Sequence, residues 1–319
     1  MKESRFDKIQ YFPASLFGMI MGMAGLSIAS LKTEGFLPFG HAFGLGMTAF
    51  VTVLFVLLLS VYLVKVLRFR EAFWEEMKHP VKMNFVPAIS ISMLLLSIAY
   101  HVIGLHEVSQ ALWMVGATLH IILTLWVLYH WVHHDFFKVE HSNPAWFIPI
   151  VGNIIVPIAG VHYAPADISW FFFSIGIVFW PILTAILLNR IIFHAPMMER
   201  LLPTLFIFIA PPAVGFISYV TLNHGEVDGF AKVLYFFALF TTLLMFVSIG
   251  RFMKVKFAIS WWAYTFPLAA MSIASLLMAK ASGLMFYKII AVVLLAVLIM
   301  MISGFFIKTV KAAWAHKIC

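Results

Sequence analysis

Charged residues are scarce in this sequence. Asp, Glu, Lys and Arg make up 11% of the 319 residues, whereas 63% are hydrophobic and the mean hydropathy is +1.02. A soluble domain carries about 25% charged residues, and a chain with so few cannot cover a surface that faces water. The composition therefore excludes a soluble enzyme, a nucleic-acid-binding protein and a disordered chain.

Cysteine is almost absent as well. The single cysteine, Cys319, is the last residue. One cysteine cannot form an internal disulfide, an iron–sulfur cluster or a cysteine-based metal site.

The few charged residues leave long apolar segments between them. Ten segments of 18 or more residues contain no charge, and roughly 20 apolar residues in a helix cross a hydrocarbon core of about 30 Å. The alternation that a closed barrel requires is absent. We therefore predict an all-α membrane protein, one domain over residues 1–319 with ten transmembrane helices. The predicted spans are 9–31, 35–64, 83–106, 108–134, 141–166, 168–189, 201–225, 233–250, 257–279 and 289–307.

The basic residues are distributed unevenly between the two sides of these spans. Seventeen of the 21 Lys and Arg residues fall on the side of the termini, and the other side has Lys32, Lys232, Lys280 and Lys288. Basic loops of membrane proteins face the cytoplasm. We predict a multi-pass protein of the inner or plasma membrane with both termini in the cytoplasm. The excess of lysine and arginine on the cytoplasmic side explains most of the net charge of +8.

A repeat is visible in the prolines. Every odd-numbered span contains one, and a phenylalanine precedes it by one to three residues. The prolines are Pro13, Pro87, Pro149, Pro211 and Pro267, and the phenylalanines are Phe12, Phe85, Phe147, Phe208 and Phe266. Among the even spans only the sixth has a proline well inside, Pro181. The repeating unit is a hairpin of about 60 residues, with one proline-bent helix and one regular helix.

The prolines predict which helices lie inside. Proline removes a backbone hydrogen bond, which a bilayer tolerates where the backbone lines a cavity or packs on protein. We predict five bent inner helices around a central path and five regular helices facing lipid. Gly18, Gly22 and Gly25 have the small-residue spacing that favours close helix packing. The alternative is that the prolines are ordinary kinks.

The predicted path contains no formal charge, although ion-coupled carriers usually have an ionisable residue inside the membrane. Uncharged walls and a basic cytoplasmic face favour small anions that bind weakly and pass through. Hydroxyl and amide side chains supply further donors, or bond to their own helix backbone instead. These are Ser15, Ser90, Ser92, Asn153, Thr265 and Ser272.

Histidine is frequent, with thirteen residues. Haem requires two histidines at one depth, whereas His101 lies near the outer end of its helix and His120 about 20 Å deep in the next one. His130, His133, His134 and His141 have a metal-like spacing but lie at the membrane interface, where histidine is usual. We expect no cofactor and no metal, and a core position for His120 rather than a proton relay.

Two segments resemble a known family. Residues 210–214 (Ala-Pro-Pro-Ala-Val) with 223–228 (Asn-His-Gly-Glu-Val-Asp), and residues 262–269 (Trp-Ala-Tyr-Thr-Phe-Pro-Leu-Ala), are similar to helices 7 and 9 of TehA-like proteins. This is the tellurite-resistance/C4-dicarboxylate transporter family, which includes plant guard-cell slow anion channels, malate permeases and sulfite pumps. The likeness extends over nearly the whole chain and includes Phe17 and Gly18.

The resemblance implies ten helices as five hairpins around a central pore, assembled as a homotrimer in the lipid bilayer. It also implies an anion pore closed by an inner-helix phenylalanine, which corresponds to Phe266, with Phe17 and Gly18 as a pore-lining pair. The argument from the bent inner helices adds Pro87, Pro149, Pro211 and Pro267 to the predicted pore-lining residues. The alternative for Phe266 is ordinary packing between helices. Residues 223–228 also fit a turn and an acidic helix start without any anion contact.

These observations predict an anion channel, not an enzyme, that conducts small monovalent inorganic anions. The alternatives are a secondary carrier for C4-dicarboxylates, sulfite or tellurium oxyanions, and a histidine-rich redox subunit, which the depths of His101 and His120 disfavour.

Overall fold

The chain is all-helical. A computed structural model describes residues 7–33 and 37–315, of which 84% are helical and none is in a strand. Cys319 lies outside the described residues. The α-helices are α1 (Phe17–Leu31), α2 (Gly40–Arg68), α3 (Arg70–Lys78), α4 (Ala88–Val102), α5 (His106–His133), α6 (Phe147–Val151), α7 (Val156–Gly160), α8 (Ala166–Phe193), α9 (Ala210–Leu222), α10 (Gly229–Val247), α11 (Ile249–Phe252), α12 (Thr265–Ser282) and α13 (Met285–Trp314).

Nine helical segments in the described ranges are long and apolar enough to cross a membrane. Nine of the ten predicted spans thus coincide with helices that could cross a membrane, with ends that differ by up to seven residues. The helix α2 continues four residues beyond the predicted end, to Arg68, and includes Lys65. The prediction that this span ends at residue 64 is wrong, because Lys65 is buried and paired with a carboxylate.

The fifth predicted span, 141–166, is a shorter apolar segment, Pro144–Gly160. Turns of 3₁₀-helix at Pro144–Trp146 and Gly152–Ile155 alternate with α6 and α7. Pro149 and Pro157 lack the amide hydrogens that a continuous α-helix needs. A 3₁₀ turn rises more per residue than an α turn, so the segment is about 29 Å long.

Burial divides these segments into two groups. The first group is 78–89% buried in its most apolar stretch and consists of Ala14–Leu31, Lys82–Val102, Glu199–Leu222 and Ile259–Ser282. Residues Pro144–Gly160 are nearly all buried as well. We call these five the inner segments. The outer helices, α2, α5, α8, α10 and α13, are only 22–39% buried and expose apolar side chains.

The inner segments contact one another in a closed order. α1 lies against α4 and α12, α12 lies against α9, and both α9 and α4 lie against α7. Each inner segment also packs on the outer helix that follows it in the chain. These contacts place the five inner segments side by side around a common centre.

The repeated prolines lie at or close to changes of helix type. Four inner segments begin with 3₁₀ turns and continue as α-helix: Ala14–Leu16 into α1, Lys82–Phe85 towards α4, Glu199–Ile209 into α9 and Ile259–Tyr264 into α12. Pro87 directly precedes α4, and Pro211 and Pro267 lie in the first turns of α9 and α12. Proline is tolerated in a first α turn because the amide there has no helical partner.

Small residues allow α1 to pack tightly on α12. A Cβ atom on Gly22 would overlap the side chain of Thr265, and one on Gly25 would lie 2.6 Å from the Cβ of Ala269. The small-residue spacing predicted this close approach. It fixes the position of α12, and therefore of Phe266, against α1.

Candidate ion pathway

A cavity of about 490 Å³ lies between the inner segments. All five contribute to its wall, for example through Gly18, Ile91, Gly152, Pro211 and Phe266. The wall is mostly apolar, because the inner faces present aliphatic and aromatic side chains. Such a wall offers little to hold a strongly hydrated ion in place.

Charged and polar side chains surround one end of this cavity. They come from α3, from the connection after it and from the first turns of three inner segments, and they are Glu76, His79, Lys82, Arg200 and Ser260. Burial, followed by the charges of Lys82 and His141, lowers the pKa of His79. The basic side chains Lys82 and Arg200 are exposed and give this mouth a positive character.

A second cavity, of about 30 Å³, lies between the same inner segments towards their other end. Lys32, just after α1, belongs to its wall, and burial together with the charge of Lys280 lowers the pKa of Lys32. Ile155, Val214 and Phe266 line both cavities. These three apolar side chains therefore lie where the two cavities approach each other.

Phe266 is held by its neighbours in α12. Thr265 is fully buried, and its hydroxyl donates to the Trp262 carbonyl (2.7 Å). On the other side Pro267 lines the larger cavity. Across the interface, a Cβ on Gly25 would lie 3.6 Å from Cδ2 of Phe266. The ring is thus placed at the level of the Gly25 contact with α1 and is half-buried.

The remaining predicted pore residues fall into two groups. Gly18 and Pro211 line the larger cavity together with Phe266 and Pro267. Pro87 and Pro149 are not among the described residues of that wall, although Ala88 and Ile148 beside them are.

Phe17 points away from the cavity wall that Gly18 forms. Its ring is fully buried and packs edge-on against Phe55 (6.0 Å between centroids) and Tyr62 (5.9 Å) of the outer helix α2. Phe17 is not among the described residues that line either cavity.

A buried ion pair at the cavity mouth was not found by sequence reasoning. Lys65 Nζ lies 2.6 Å from Oε2 of Glu76, and both side chains are about 95% buried. The sequence placed both residues in a connection between spans. The charged residues of Arg70–Lys78 are typical of a short helix between two spans. Nothing in the sequence indicated that the Glu76 side chain of this helix is buried against the first inner segment and α2.

Comparison with known proteins identifies the family of this chain. Residues 11–310 match the voltage-dependent anion channel family. The chain belongs to that family. The match covers every inner segment and therefore both cavities.

Individual members of the family are similar over most of this chain. An uncharacterized transporter of Methanocaldococcus jannaschii is 28% identical, over 87% of this chain and 86% of its own. The S-type anion channel SLAH3 of Arabidopsis thaliana is 27% identical over 96% of this chain but only 49% of its own length. The tellurite resistance protein TehA homolog of Haemophilus influenzae is 28% identical, over 82% of this chain and 79% of its own. The resemblance to TehA-like proteins and plant slow anion channels is confirmed.

The two segments that carry the resemblance meet at the cavity. Pro211 and Val214 of the first segment, and Trp262, Phe266 and Pro267 of the second, line it. Residues 210–214 and 262–269 therefore contact the cavity, whereas residues 223–228 lie in the turn before the outer helix α10.

Residues 223–228 form a turn and a helix start. Gly225 has a φ of 93°, which favours glycine. The Asp228 carboxylate caps α10 by accepting from the Ala231 amide (2.9 Å), and it also accepts from the Tyr219 hydroxyl (2.6 Å). The structural interpretation of this segment is confirmed for Asp228.

The predicted hydroxyl and amide donors mostly bond to backbone. Ser90, Ser92 and Thr265 donate to carbonyls of their own segments, and Ser272 donates to the Ala291 carbonyl of α13. Asn153 donates to the Ile150 carbonyl and to Thr124. Of the six residues, Ser15 lines the larger cavity.

His101, His120 and the histidines at the end of α5 lie in three separate places. His101 stacks on His162 (4.1 Å between centroids) and its Nδ1 lies 2.9 Å from the Tyr163 hydroxyl. His120 is fully buried and shares a hydrogen bond with Ser90 (2.9 Å). His101 and His120 thus have different partners, as their depths predicted.

The third histidine group is at the end of α5. His130 stacks on His134 (4.5 Å), and Nδ1 of His133 bonds to the Tyr129 carbonyl (2.9 Å). No set of three histidine, cysteine or acidic side chains in residues 7–33 and 37–315 is arranged to hold a metal ion.

Proposed function

We propose that this chain is an anion channel that conducts small monovalent anions through a pore of its own, closed by Phe266. One observation carries the proposal: two cavities between the same five inner segments, meeting at apolar side chains, with exposed basic residues at the larger mouth. The family membership supports it, because its members include plant anion channels.

We infer that the pore is built by ten helices arranged as five hairpins. In this arrangement Pro144–Gly160 is the fifth inner helix, since its length of about 29 Å is close to the hydrocarbon thickness. The segregation of buried inner segments and exposed outer helices supports the same arrangement.

The placement of charged side chains at the two ends of the proposed pathway favours passive movement of anions. Between Lys32 at one end and the ring of Glu76, His79, Lys82 and Arg200 at the other, the described lining side chains are uncharged. Positive groups at a mouth raise the local concentration of anions. An uncharged interior then releases them, because it provides no strong counter-charge.

Phe266 serves as the gate in this proposal. An apolar constriction can close a pore by steric obstruction or by expelling water. Ile155 and Val214 line the same stretch, so the closed state has apolar contacts on several sides of the ring.

The basic mouth faces the cytoplasm in this proposal. The loops around it carry most of the lysines and arginines, and the positive-inside rule places such loops in the cytoplasm. Both termini then lie on the cytoplasmic side of an inner or plasma membrane, and the chains associate as homotrimers.

Reversal potentials in a planar bilayer test the channel against the carrier. With a chloride or nitrate gradient, we expect the reversal potential to follow the anion gradient and to stay unchanged when a pH gradient is added. A shift that tracks the pH gradient would contradict the channel and favour a proton-coupled carrier of C4-dicarboxylates, sulfite or tellurium oxyanions.

A further inference from the structure

The Glu76 carboxylate sits in a complete set of hydrogen-bond donors. Its Oε1 accepts from the Ala14 amide (2.9 Å), and its Oε2 accepts from the Lys65 ammonium (2.6 Å) and the Tyr62 hydroxyl (3.1 Å). The Lys65 ammonium also donates to the Phe12 carbonyl (2.8 Å). An amide, a hydroxyl and an ammonium group thus converge on one anionic group.

These donors come from parts of the chain other than the one that supplies the carboxylate. Ala14 begins the first inner segment directly after Pro13, and Tyr62 and Lys65 are one turn apart on the outer helix α2. Glu76 is brought in by α3, a short helix between two spans. The donor set is therefore part of the pore scaffold, whereas the anion it binds is presented by a connecting segment.

The bound carboxylate also belongs to the pathway. Glu76, Pro13 and Ser15 all line the larger cavity near its basic mouth. A group that binds a carboxylate at this position would otherwise face anions that enter the cavity.

We propose that the Ala14 amide, the Tyr62 hydroxyl and the Lys65 ammonium form an anion-binding site in the wall of the pore, which the chain fills with its own Glu76 carboxylate. Its external ligand class is a small monovalent anion, either a monocarboxylate or a halide. This inference rests on the proposed function for its relevance to conduction, but the site itself is defined by binding.

Removal of Glu76 makes the site available. In Glu76→Ala the Lys65 ammonium stays buried without its counter-charge, which is strongly unfavourable. An anion from solution that enters the vacated space restores the charge balance and stabilises the folded protein in proportion to its concentration. Glu76→Gln also removes the charge but leaves the space filled, so it should admit an anion less well.

Thermal unfolding of the purified, full-length protein in detergent tests the site. Sodium gluconate, whose anion is much bulkier than formate or chloride, is exchanged at constant ionic strength for sodium formate or sodium chloride. We expect the Tm of Glu76→Ala to rise by roughly 4 °C when the small anion reaches about a hundred times its Kd. Wild type and Glu76→Gln should change much less.

Two further variants serve as controls. Glu75→Ala removes an exposed carboxylate next to Glu76 on α3, and its Tm should not depend on the anion. The double variant Lys65→Met/Glu76→Ala lacks the ammonium and should lose the response.

Each outcome decides the proposal. A protein with Glu76→Ala that folds only in formate or chloride supports the site. An equal Tm in gluconate and formate, an equal response in the double variant, or failure to fold in every anion would overturn it and leave Glu76 as a structural partner of Lys65. Because this readout is binding, a wild type without anion currents would refute the channel and leave the site intact.

Discussion

At the scale of single residues, Phe266 separates two cavities of very different size. It lines both the space of about 490 Å³ and the space of about 30 Å³. We expect Phe266→Ala to join them and to raise anion conductance well above wild type, with less loss of stability than a fully buried phenylalanine would show, because the ring is only partly buried. Single-channel recording in a planar bilayer measures the conductance, and thermal unfolding measures the stability.

Two other phenylalanines provide matched controls for this prediction. Phe171 on α8 is 55% exposed, so Phe171→Ala should change neither current nor stability. Phe17 is fully buried beside Phe55 and Tyr62, so Phe17→Ala should lower the stability by about 3–5 kcal/mol, as core truncations do. If Phe266→Ala behaves like Phe17→Ala, unstable and no more conductive, Phe266 is a packing residue and the gate lies elsewhere.

At the scale of helices, α1 packs closely on α12 because Gly22 has no side chain. A methyl group on Gly22 would overlap Thr265, which is fully buried and bonded to the Trp262 carbonyl. We expect Gly22→Ala to lower the free energy of unfolding by about 1–3 kcal/mol, the usual cost of overpacking. Conductance should also change, because Thr265 is the neighbour of Phe266. Chemical denaturation in detergent measures the first effect.

A glycine on the outer helix is the control for Gly22. A Cβ on Gly46 of α2 meets no atom within 4 Å, so Gly46→Ala should leave the stability unchanged or increase it, since alanine favours helix more than glycine. Combining Gly22→Ala with Thr265→Ala should recover part of the loss, because it removes the overlapping Oγ1 while the Cβ of residue 265 stays 2.7 Å away. A double variant as unstable as the sum of both changes would show that the overlap with Thr265 is not the cause.

Asp228, the residue that caps α10, makes the stability of the fold depend on pH, and the direction of this dependence follows from its lowered pKa. The Ala231 amide and then the Tyr219 hydroxyl lower the pKa of Asp228 below its usual 3.8. A group with a lowered folded-state pKa stabilises the fold above its unfolded pKa and loses that effect as the pH falls through the folded value. We expect Asp228→Ala to lower the Tm at neutral pH by about 2 °C, and this difference to shrink below about pH 4.

Asp228→Asn separates the cap from the charge. Its amide oxygen still accepts from the Ala231 amide, so the Tm at neutral pH should stay near that of wild type while the pH dependence of the carboxylate disappears. A Tm difference between Asp228→Ala and wild type that is constant down to about pH 3 would contradict the titration of this group.

Much of this architecture is predictable from sequence because a bilayer imposes one length scale. Segments free of charge identify nine spans, and the proline repeat predicts which of them are buried. The fifth segment departs from prediction because Pro149, Gly152 and Pro157 divide it into short helices. The position of Lys65 inside α2 also differs from the prediction, because the ion pair with Glu76 of α3 allows the charge of Lys65 to be buried within a helix.

Side-chain direction is the part of the pathway that the sequence could not supply. Phe17 and Gly18 are adjacent, yet one packs on α2 and the other lines the cavity. Helices turn about 100° per residue, so a motif match places a segment at the pore without stating which of its residues faces it. Glu76 shows the same limit, since only the contacts with Ala14, Tyr62 and Lys65 reveal that it turns inward.

At the scale of the whole molecule, the larger cavity lies inside one chain and the outer helices expose apolar side chains. All five inner segments that line the larger cavity belong to the same polypeptide. The outer helices α2, α5, α8, α10 and α13 present exposed apolar side chains to lipid or to another chain. In the proposed function, association of chains is therefore not needed to form the path.

This arrangement separates assembly from conduction. We expect cross-linking or native mass spectrometry in mild detergent to show trimers, and we expect anion flux per chain to be the same for isolated chains and for trimers. Vesicles whose chains carry one fluorophore each can be sorted by counting bleaching steps, with an anion-sensitive dye reporting flux in the same vesicles. Flux in vesicles with one step should be about a third of that in vesicles with three, because each chain contributes its own pore. If vesicles with one step are silent while those with three conduct, the path depends on the assembly, and a pore in each protomer is wrong.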